Sequence, residues 1–413
     1  MTMILSQTAI LDNLNWFERM ARSLIHRQLQ QLQFGCIEWL EDGQETIFGD
    51  AHSDLRARLT VLDGRFYSKL LLEGSVGAGE AFMDGWWHTD QLTALVRIFA
   101  RNMALLDQLE SGFAKLSKPA LKLLSWKQRN TLEQARRNIS AHYDLGNDMY
   151  RLFLDESMMY SSAVYPSADA SLEQAQQHKL RLLCDSLQLQ PTDHLLEIGT
   201  GWGSLAIFAA THYGCHVTTT TISQEQFDYA KARIQQLGLD HKITLLCRDY
   251  RLLEGQYDKL VSVEMIEAVG EQFLDGYFAK CSSLLKPNGL MALQAITIAD
   301  QRFEQYRDGV DFIQKFIFPG GFLPSITRMT SALTKHTDLV VRQLRDIGFD
   351  YARTLNDWQQ RFNAELDAVR QLGYPDRFIR MWQFYLSYCE GGFLERSTST
   401  VQLVLAKPQS RHP

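Results

Sequence analysis

Two hydrophobic rhythms alternate along the second half of this chain. Short apolar or β-branched runs at His194–Ile198, His216–Ile222, Ile243–Cys247, Lys259–Met265 and Gly289–Ile298 predict strands. Between them, stretches such as Gln224–Leu237 and Glu271–Leu285 carry helical spacing. Strand and helix in strict alternation imply right-handed crossovers, hence a parallel sheet with helices on both faces. Two later apolar runs, Leu339–Leu344 and Thr400–Ala406, add terminal strands, and a helical insertion around residues 302–333 is expected to roof a pocket and line an acyl-sized channel. The first 110 residues or so read differently. Arg58–Leu62 and Ser68–Leu72 suit strands, helical stretches flank them, and a glycine-rich run from Gly74 to Glu80 leads into Ala81-Phe82-Met83-Asp84-Gly85-Trp86-Trp87. A small α+β domain fits that mixture.

Length supports the division, because 413 residues exceed one comfortable core and 45% apolar content can fill two. The expected layout is an amino-terminal domain over 1–112, a basic linker over 113–137 and a larger domain over 138–413. The opening thirty residues break their apolar positions with Asp12, Asn13 and Asn15, so neither a signal-peptide core nor a membrane span is expected and the protein is placed in the cytoplasm. Six scattered cysteines form no Cys-x-x-Cys pair and no metal-ligand cluster, which predicts reduced thiols and no metal. A net charge of −6 argues against nucleic acid as a partner. One stretch departs from that average: Lys115, Lys118, Lys122, Lys127, Arg129, Arg136 and Arg137 face the single acid Glu133, with Leu121, Leu123, Leu124 and Trp126 interspersed. Such a segment suits an anionic lipid surface, and equally a solvated linker.

Chemistry enters at residues 195–204, Leu-Leu-Glu-Ile-Gly-Thr-Gly-Trp-Gly-Ser. Gly199, Gly201 and Gly203 lack Cβ atoms, so the backbone can turn off the strand and approach a bound nucleoside. A dinucleotide fold would set its third glycine one residue later. The spacing here, with acidic Glu197 ahead of the first glycine, favours the loop of methyltransferases that bind S-adenosylmethionine.

Longer strings narrow the reading. Ala141-His142-Tyr143-Asp144-Leu145-Gly146-Asn147, Tyr160-Ser161-Ser162-Ala163, Thr221-Ile222-Ser223-Gln224-Glu225-Gln226, Val263-Glu264-Met265-Ile266-Glu267-Ala268-Val269-Gly270 and Phe316-Ile317-Phe318-Pro319-Gly320-Gly321 occur in that order. Together they resemble the cyclopropane-fatty-acyl-phospholipid synthase family, whose mycobacterial relatives modify mycolic acids. The Gly79–Trp87 stretch extends the resemblance into the amino-terminal domain, as in the longer bacterial phospholipid enzymes. The resemblance implies a Rossmann-like class I methyltransferase fold, with a seven-stranded, mostly parallel sheet. It also implies S-adenosylmethionine held by Gly199, Gly201 and Gly203, closed over by Tyr160 and Ser161, with Thr221 and Gln226 near the ribose and methionyl groups and Asp249 and Tyr250 near adenine. From the residues alone, Thr221 reads as an ordinary strand threonine and Asp249 as a helix cap.

The resemblance further implies an anion site holding bicarbonate as base, formed by Glu267, the main chain at Ile296, and Tyr351. Ser162 and Gln294 stand where the family has a cysteine and a histidine, and Ala268 where a histidine commonly follows the glutamate. Both Ser162 and Gln294 retain polarity, so the anion site is expected to persist. Cys389 matches a cysteine often marked as the family's active-site residue, yet a thiol has no evident step, which makes it structural or pocket-lining. The implied reaction adds a methylene carbon from S-adenosylmethionine to the cis double bond of an unsaturated phospholipid acyl chain. A peripheral, membrane-associated homodimer is expected. Two other outcomes stay open: C-methylation to a branched or exomethylene chain, and a lipid- or cofactor-binding protein without turnover.

Overall fold

A computed structural model describes residues 10–111, 134–135 and 146–411. The chain forms two compact units. The amino-terminal unit holds strands β1 (Cys36–Glu41), β2 (Gln44–Gly49), β3 (Arg56–Val61) and β4 (Trp87–His88), ordered β2-β1-β3-β4, with helices Trp16–Leu29 and Arg65–Met83. Segments Gly309–Phe316 and Leu366–Glu395 belong to this unit too, so the expected continuous domain over 138–413 is interrupted twice. The helical insertion is divided as well, since its middle part goes with the amino-terminal unit.

Arg58–Leu62 is strand, as expected, but Ser68–Leu72 lies inside the Arg65–Met83 helix. Burial explains the correction. Tyr67 and Leu71 are buried one helical turn apart, and Lys69 reaches Glu73 one turn on at 2.7 Å. Three consecutive leucines satisfy either rhythm, and the helical one matches the buried face.

The second unit is built on a seven-stranded sheet: β5 (His194–Ile198), β6 (His216–Thr221), β7 (Ile243–Cys247), β8 (Tyr257–Val263), β9 (Leu285–Ile298), β10 (Val340–Asp346) and β11 (Thr398–Ala406). Their order is β10-β11-β9-β8-β5-β6-β7. Strands β5 to β9 are parallel, and β11 runs antiparallel to both neighbours. Each predicted strand is present, within a few residues at its ends.

Side chains alternate across the sheet as period two requires. Leu195 and Val261 enter a core with helices Leu172–Ser186 and Ser204–Tyr213, while Leu196 and Leu260 enter the opposite core with helices Leu274–Leu284 and Ile326–His336. Every one of these four side chains is essentially fully buried, contributing about 1.5–3 kcal/mol apiece. Among the described residues β10 is an edge strand paired with β11, and Val340, Val341 and Leu344 are exposed.

What matters for function is the reversal at β5. The chain winds from β5 through β6 to β7, then returns to place β8 on the other side of β5. Loops leaving β5 and β8 therefore diverge at the carboxyl edge, the place where open α/β sheets bind ligands.

Candidate active site

The loop after β5 makes a cradle from backbone alone. Gly199, Gly201 and Gly203 have φ of +101°, +53° and +90°, a region that side chains disfavour. Their roles differ. A Cβ on Gly199 would press on Met265, and one on Gly203 would stand 3.2 Å from the Ala230 Cβ, so these two permit close packing. A Cβ on Gly201 would meet no atom of the described residues within 4 Å. Gly201 thus borders open space among the described residues at the sheet edge. Trp202 anchors the loop by donating from its indole N–H to the Asn147 side chain at 2.6 Å.

The segment ahead of the sheet is fixed equally firmly. Asp155 accepts hydrogen bonds from the main chain of Ser157 and Met159, which sets the turn before Tyr160. Beyond it, Ala163 N–H donates to Thr354 and Tyr165 N–H to Asp350, tying this stretch to the helix Gly348–Ala364. Tyr160 lies among aromatic rings, 5.3 Å from both Tyr150 and Trp358 and 6.4 Å from Phe318. Tyr351 stands edge-on to Trp358 at 6.1 Å.

At the end of β8 two carboxylates sit three residues apart and have opposite surroundings. Glu264, at φ +47°, is held by three donors: Ser162 N–H at 2.9 Å and Gln294 Nε2 at 2.8 Å to one oxygen, and the Tyr351 hydroxyl at 2.9 Å to the other. Gln294 is itself aimed. Gln402, its cross-strand partner on β11, donates to its Oε1 at 2.9 Å and so turns the amide nitrogen toward Glu264. Glu267, in the short 3-10 turn Ile266–Ala268, accepts from Ile296 N–H through Oε1 at 2.5 Å. Its other oxygen is sealed from solvent and has no hydrogen-bond partner among the described residues.

Electrostatics follow from that contrast. Burial pushes the Glu267 carboxyl up to about 8, and the charge of Glu264 adds to the rise. Glu264 is also raised by burial, but its donors and nearby Lys179 oppose the shift. Two carboxyls this close favour sharing one negative charge, and the hydrogen bonds place it on Glu264. Burial therefore favours the neutral form of Glu267 near pH 7. Lys179 is fully buried, donates to Ser161 Oγ at 2.7 Å, and is lowered to about 8 by burial.

The profile of the mycolic acid cyclopropane synthetase family matches residues 130–403. The chain belongs to the mycolic acid cyclopropane synthetase family. It is 38% identical to the cyclopropane-fatty-acyl-phospholipid synthase of Escherichia coli strain K12, over 87% of this chain and 90% of that one. It is also 39% identical to the tuberculostearic acid methyltransferase UfaA1 of Mycobacterium tuberculosis, over 78% of this chain and 76% of that one. Among solved structures, the cyclopropane synthase MmaA2 from M. tuberculosis superposes with a TM-score of 0.62 at 27% identity, covering 66% of this chain and 98% of that one. A second, the mycolic acid cyclopropane synthase CmaA1 complexed with SAH and CTAB, gives 0.61 at 27% identity over 66% and 98%.

Against the expectations from that family, several side chains are differently employed. The Ser162 hydroxyl donates to Ala163 O, so Ser162 offers its main-chain N–H to the site instead. Gln294 and Tyr351 turn to Glu264 rather than grouping around Glu267. Bicarbonate would need these donors, and as they stand they are satisfied by Glu264; the residues present do not fit it. Asp249 caps the short turn Tyr250–Leu252 and pairs with Arg251 at 2.6 Å, the cap reading. Tyr250 packs edge-on to Tyr277. Thr221 donates to Gln226 at 2.8 Å, both buried at the end of β6. Glu197, raised to about 8 by burial, accepts from Thr219 at 2.6 Å within the sheet. Cys389 lies on the helix Asp376–Leu394 of the amino-terminal unit, where burial holds its thiol protonated. Glu264, Gln402 and Lys179 were missed by motif reading. Only Glu264 carried a signal, as a second acid in the Val263–Gly270 string.

Proposed function

We propose that this chain transfers the methyl carbon of S-adenosylmethionine to the cis double bond of unsaturated phospholipid acyl chains and closes it into a cyclopropane ring. One observation carries the reading. A glycine cradle, a buried carboxylate pair and a wall of aromatic rings are gathered in one unit of a family member, with the cradle and the pair on loops at the carboxyl edge of its sheet. S-adenosylmethionine supplies the electrophilic methyl, and the open space beside Gly201 fits its close approach to the backbone. Gly199 and Gly203 shape that cradle, while Tyr160, Ser161, Thr221, Gln226, Asp249 and Tyr250 frame it. An alkene is a weak nucleophile, so holding it in line supplies much of the rate. Attack leaves a carbocation, for which the electron-rich faces of Tyr160, Trp358 and Phe318 are suited. These rings also keep water from the cation. Loss of a proton from the transferred methyl closes the ring, and the acceptor falls to the carboxylate pair.

A second enzymatic reading, C-methylation to a branched or exomethylene chain, is supported by the similarity to a tuberculostearic acid methyltransferase. The test is lipid mass spectrometry after incubating the protein with S-adenosylmethionine and vesicles of unsaturated phospholipid. Gain of one CH2 unit with loss of the alkene supports ring closure. Gain with the alkene retained favours C-methylation, and no gain leaves a binding protein without turnover.

Association with a membrane rests on the acyl substrate and on the basic segment Lys115–Arg137, nearly all of which lies outside the described residues. Among the described residues no helix is long and apolar enough to cross a membrane. Peripheral binding predicts that sedimentation with anionic vesicles weakens as salt rises. A cytoplasmic homodimer completes the proposal, and a single-chain mass by light scattering would refute that part.

A further inference from the structure

We infer that Glu264 is a built-in replacement for the diffusible oxyanion base, so this chain closes the ring without bicarbonate. The inference rests on the proposed methyl transfer and names the proton acceptor within it. Three groups from distant parts of the chain converge on the Glu264 carboxylate: Ser162 N–H, Gln294 Nε2 and the Tyr351 hydroxyl. All of them are donors, and donors arranged around one point form an anion receptor. The receptor here already contains its anion, tethered to β8. Gln402 fixes the Gln294 amide in the donating orientation, which a neutral amide can hold at every pH. The backbone agrees with a special position, since a glutamate at φ +47° is uncommon and persists where surrounding bonds determine it.

The step balances. The π pair of the alkene forms a bond to the methyl carbon while the carbon–sulfur pair stays on sulfur, leaving a cation on the second alkene carbon. A C–H bond of the new methyl group then breaks. Its proton passes to the Glu264 carboxylate, and its electron pair closes the ring onto the cation. Glu264 later releases the proton to water. Glu267, one oxygen bound to Ile296 N–H and the other uncommitted, stays neutral, so the pair carries a single charge.

Two variants of the full chain test this. Glu264→Gly suits the positive φ and removes the carboxylate from the three donors; Glu264→Gln keeps the shape without the charge. Turnover is measured on unsaturated phospholipid vesicles in carbonate-depleted buffer, with and without added bicarbonate, and bicarbonate binding is measured by calorimetry in the presence of S-adenosylhomocysteine. The expected result is a wild-type enzyme indifferent to bicarbonate and not binding it. Glu264→Gly loses about a hundredfold in turnover, binds bicarbonate and recovers with it, and Glu264→Gln loses a similar factor without recovery. S-adenosylhomocysteine affinity stays unchanged in both, which shows that the fold is intact. Wild-type protein that binds bicarbonate or is accelerated by it overturns the inference, as does full activity of either variant. Wild-type protein that transfers no methyl group overturns the activity instead, and the calorimetry still decides whether Glu264 fills the receptor.

Discussion

The glycine loop after β5 and the carboxylate pair after β8 lie at the same edge of one sheet and are made in opposite ways. The loop is local: five consecutive residues, three with positive φ, define the cradle, and its function is that of a bare backbone. The pair is assembled from afar: Glu264 draws donors from Ser162, Gln294 and Tyr351, which lie 102, 30 and 87 residues away in sequence. A local device can be destroyed by one side chain. A distributed one is weakened in steps, and the size of each step shows how directly a residue meets the reacting atoms.

The largest effect is expected at the cradle. Gly201→Val places a branched side chain at φ +53° and in the space left for the ligand, so calorimetric titration should detect no S-adenosylmethionine binding in an otherwise folded protein. Unchanged affinity would remove the loop from the cofactor site. Next in size is Glu264→Gln, which should leave that affinity nearly intact and lower kcat by roughly two orders of magnitude, the scale of a lost acid–base element. A comparable loss of cofactor affinity would mean that the two regions are not separate devices.

Gln402→Leu tests the outer layer. It leaves the Gln294 carbonyl oxygen buried without its partner, costing about 1–3 kcal/mol of stability. If Gln402 acts through Gln294, kcat falls by roughly tenfold with KM for the cofactor unchanged, and Gln402→Glu, which cannot donate when ionised, is no better. A melting-temperature loss with full kcat would make Gln402 structural only.

The smallest effect is in stability against pH. The Glu267 carboxyl is raised to about 8 in the fold, so the native state binds this proton more tightly than the unfolded chain does. Its contribution is fully present below the ordinary carboxylate range and is lost as pH rises through about 8. Glu267→Gln mimics the neutral form at every pH. Thermal melts between pH 6 and pH 9 should show the wild-type melting temperature falling relative to this variant, and parallel curves would contradict the neutral Glu267.

The sheet was legible because its strands are short apolar runs with breaks between them; His194–Ile198 and Ile243–Cys247 appear with the expected limits. The Ser68–Leu72 segment was misread because three leucines in a row satisfy both periods, and only the packing of Tyr67 and Leu71 on one helix face decides. After β5, the turn at Gly199, Gly201 and Gly203 was legible since a positive φ needs no partner. Ser162, Gln294 and Tyr351, expected to group together, do lie around one point, but their common target Glu264 was not foreseen, since hydrogen-bond direction is a property of the folded arrangement. Lys179 gave no signal at all: a lysine within a polar helical stretch reads as solvent-facing, yet it is fully buried beside Ser161.

The central claim is that the cradle and the carboxylate pair act in sequence on one acyl chain, the first delivering a methyl carbon and the second removing a proton from it. The most direct test follows that methyl group. With S-adenosylmethionine trideuterated on the methyl and an unsaturated phospholipid as acceptor, mass spectrometry should find a product that keeps two of the deuterons and has no remaining double bond. A product retaining all the deuterons and an alkene would contradict ring closure, and an unlabelled lipid would contradict the transfer itself.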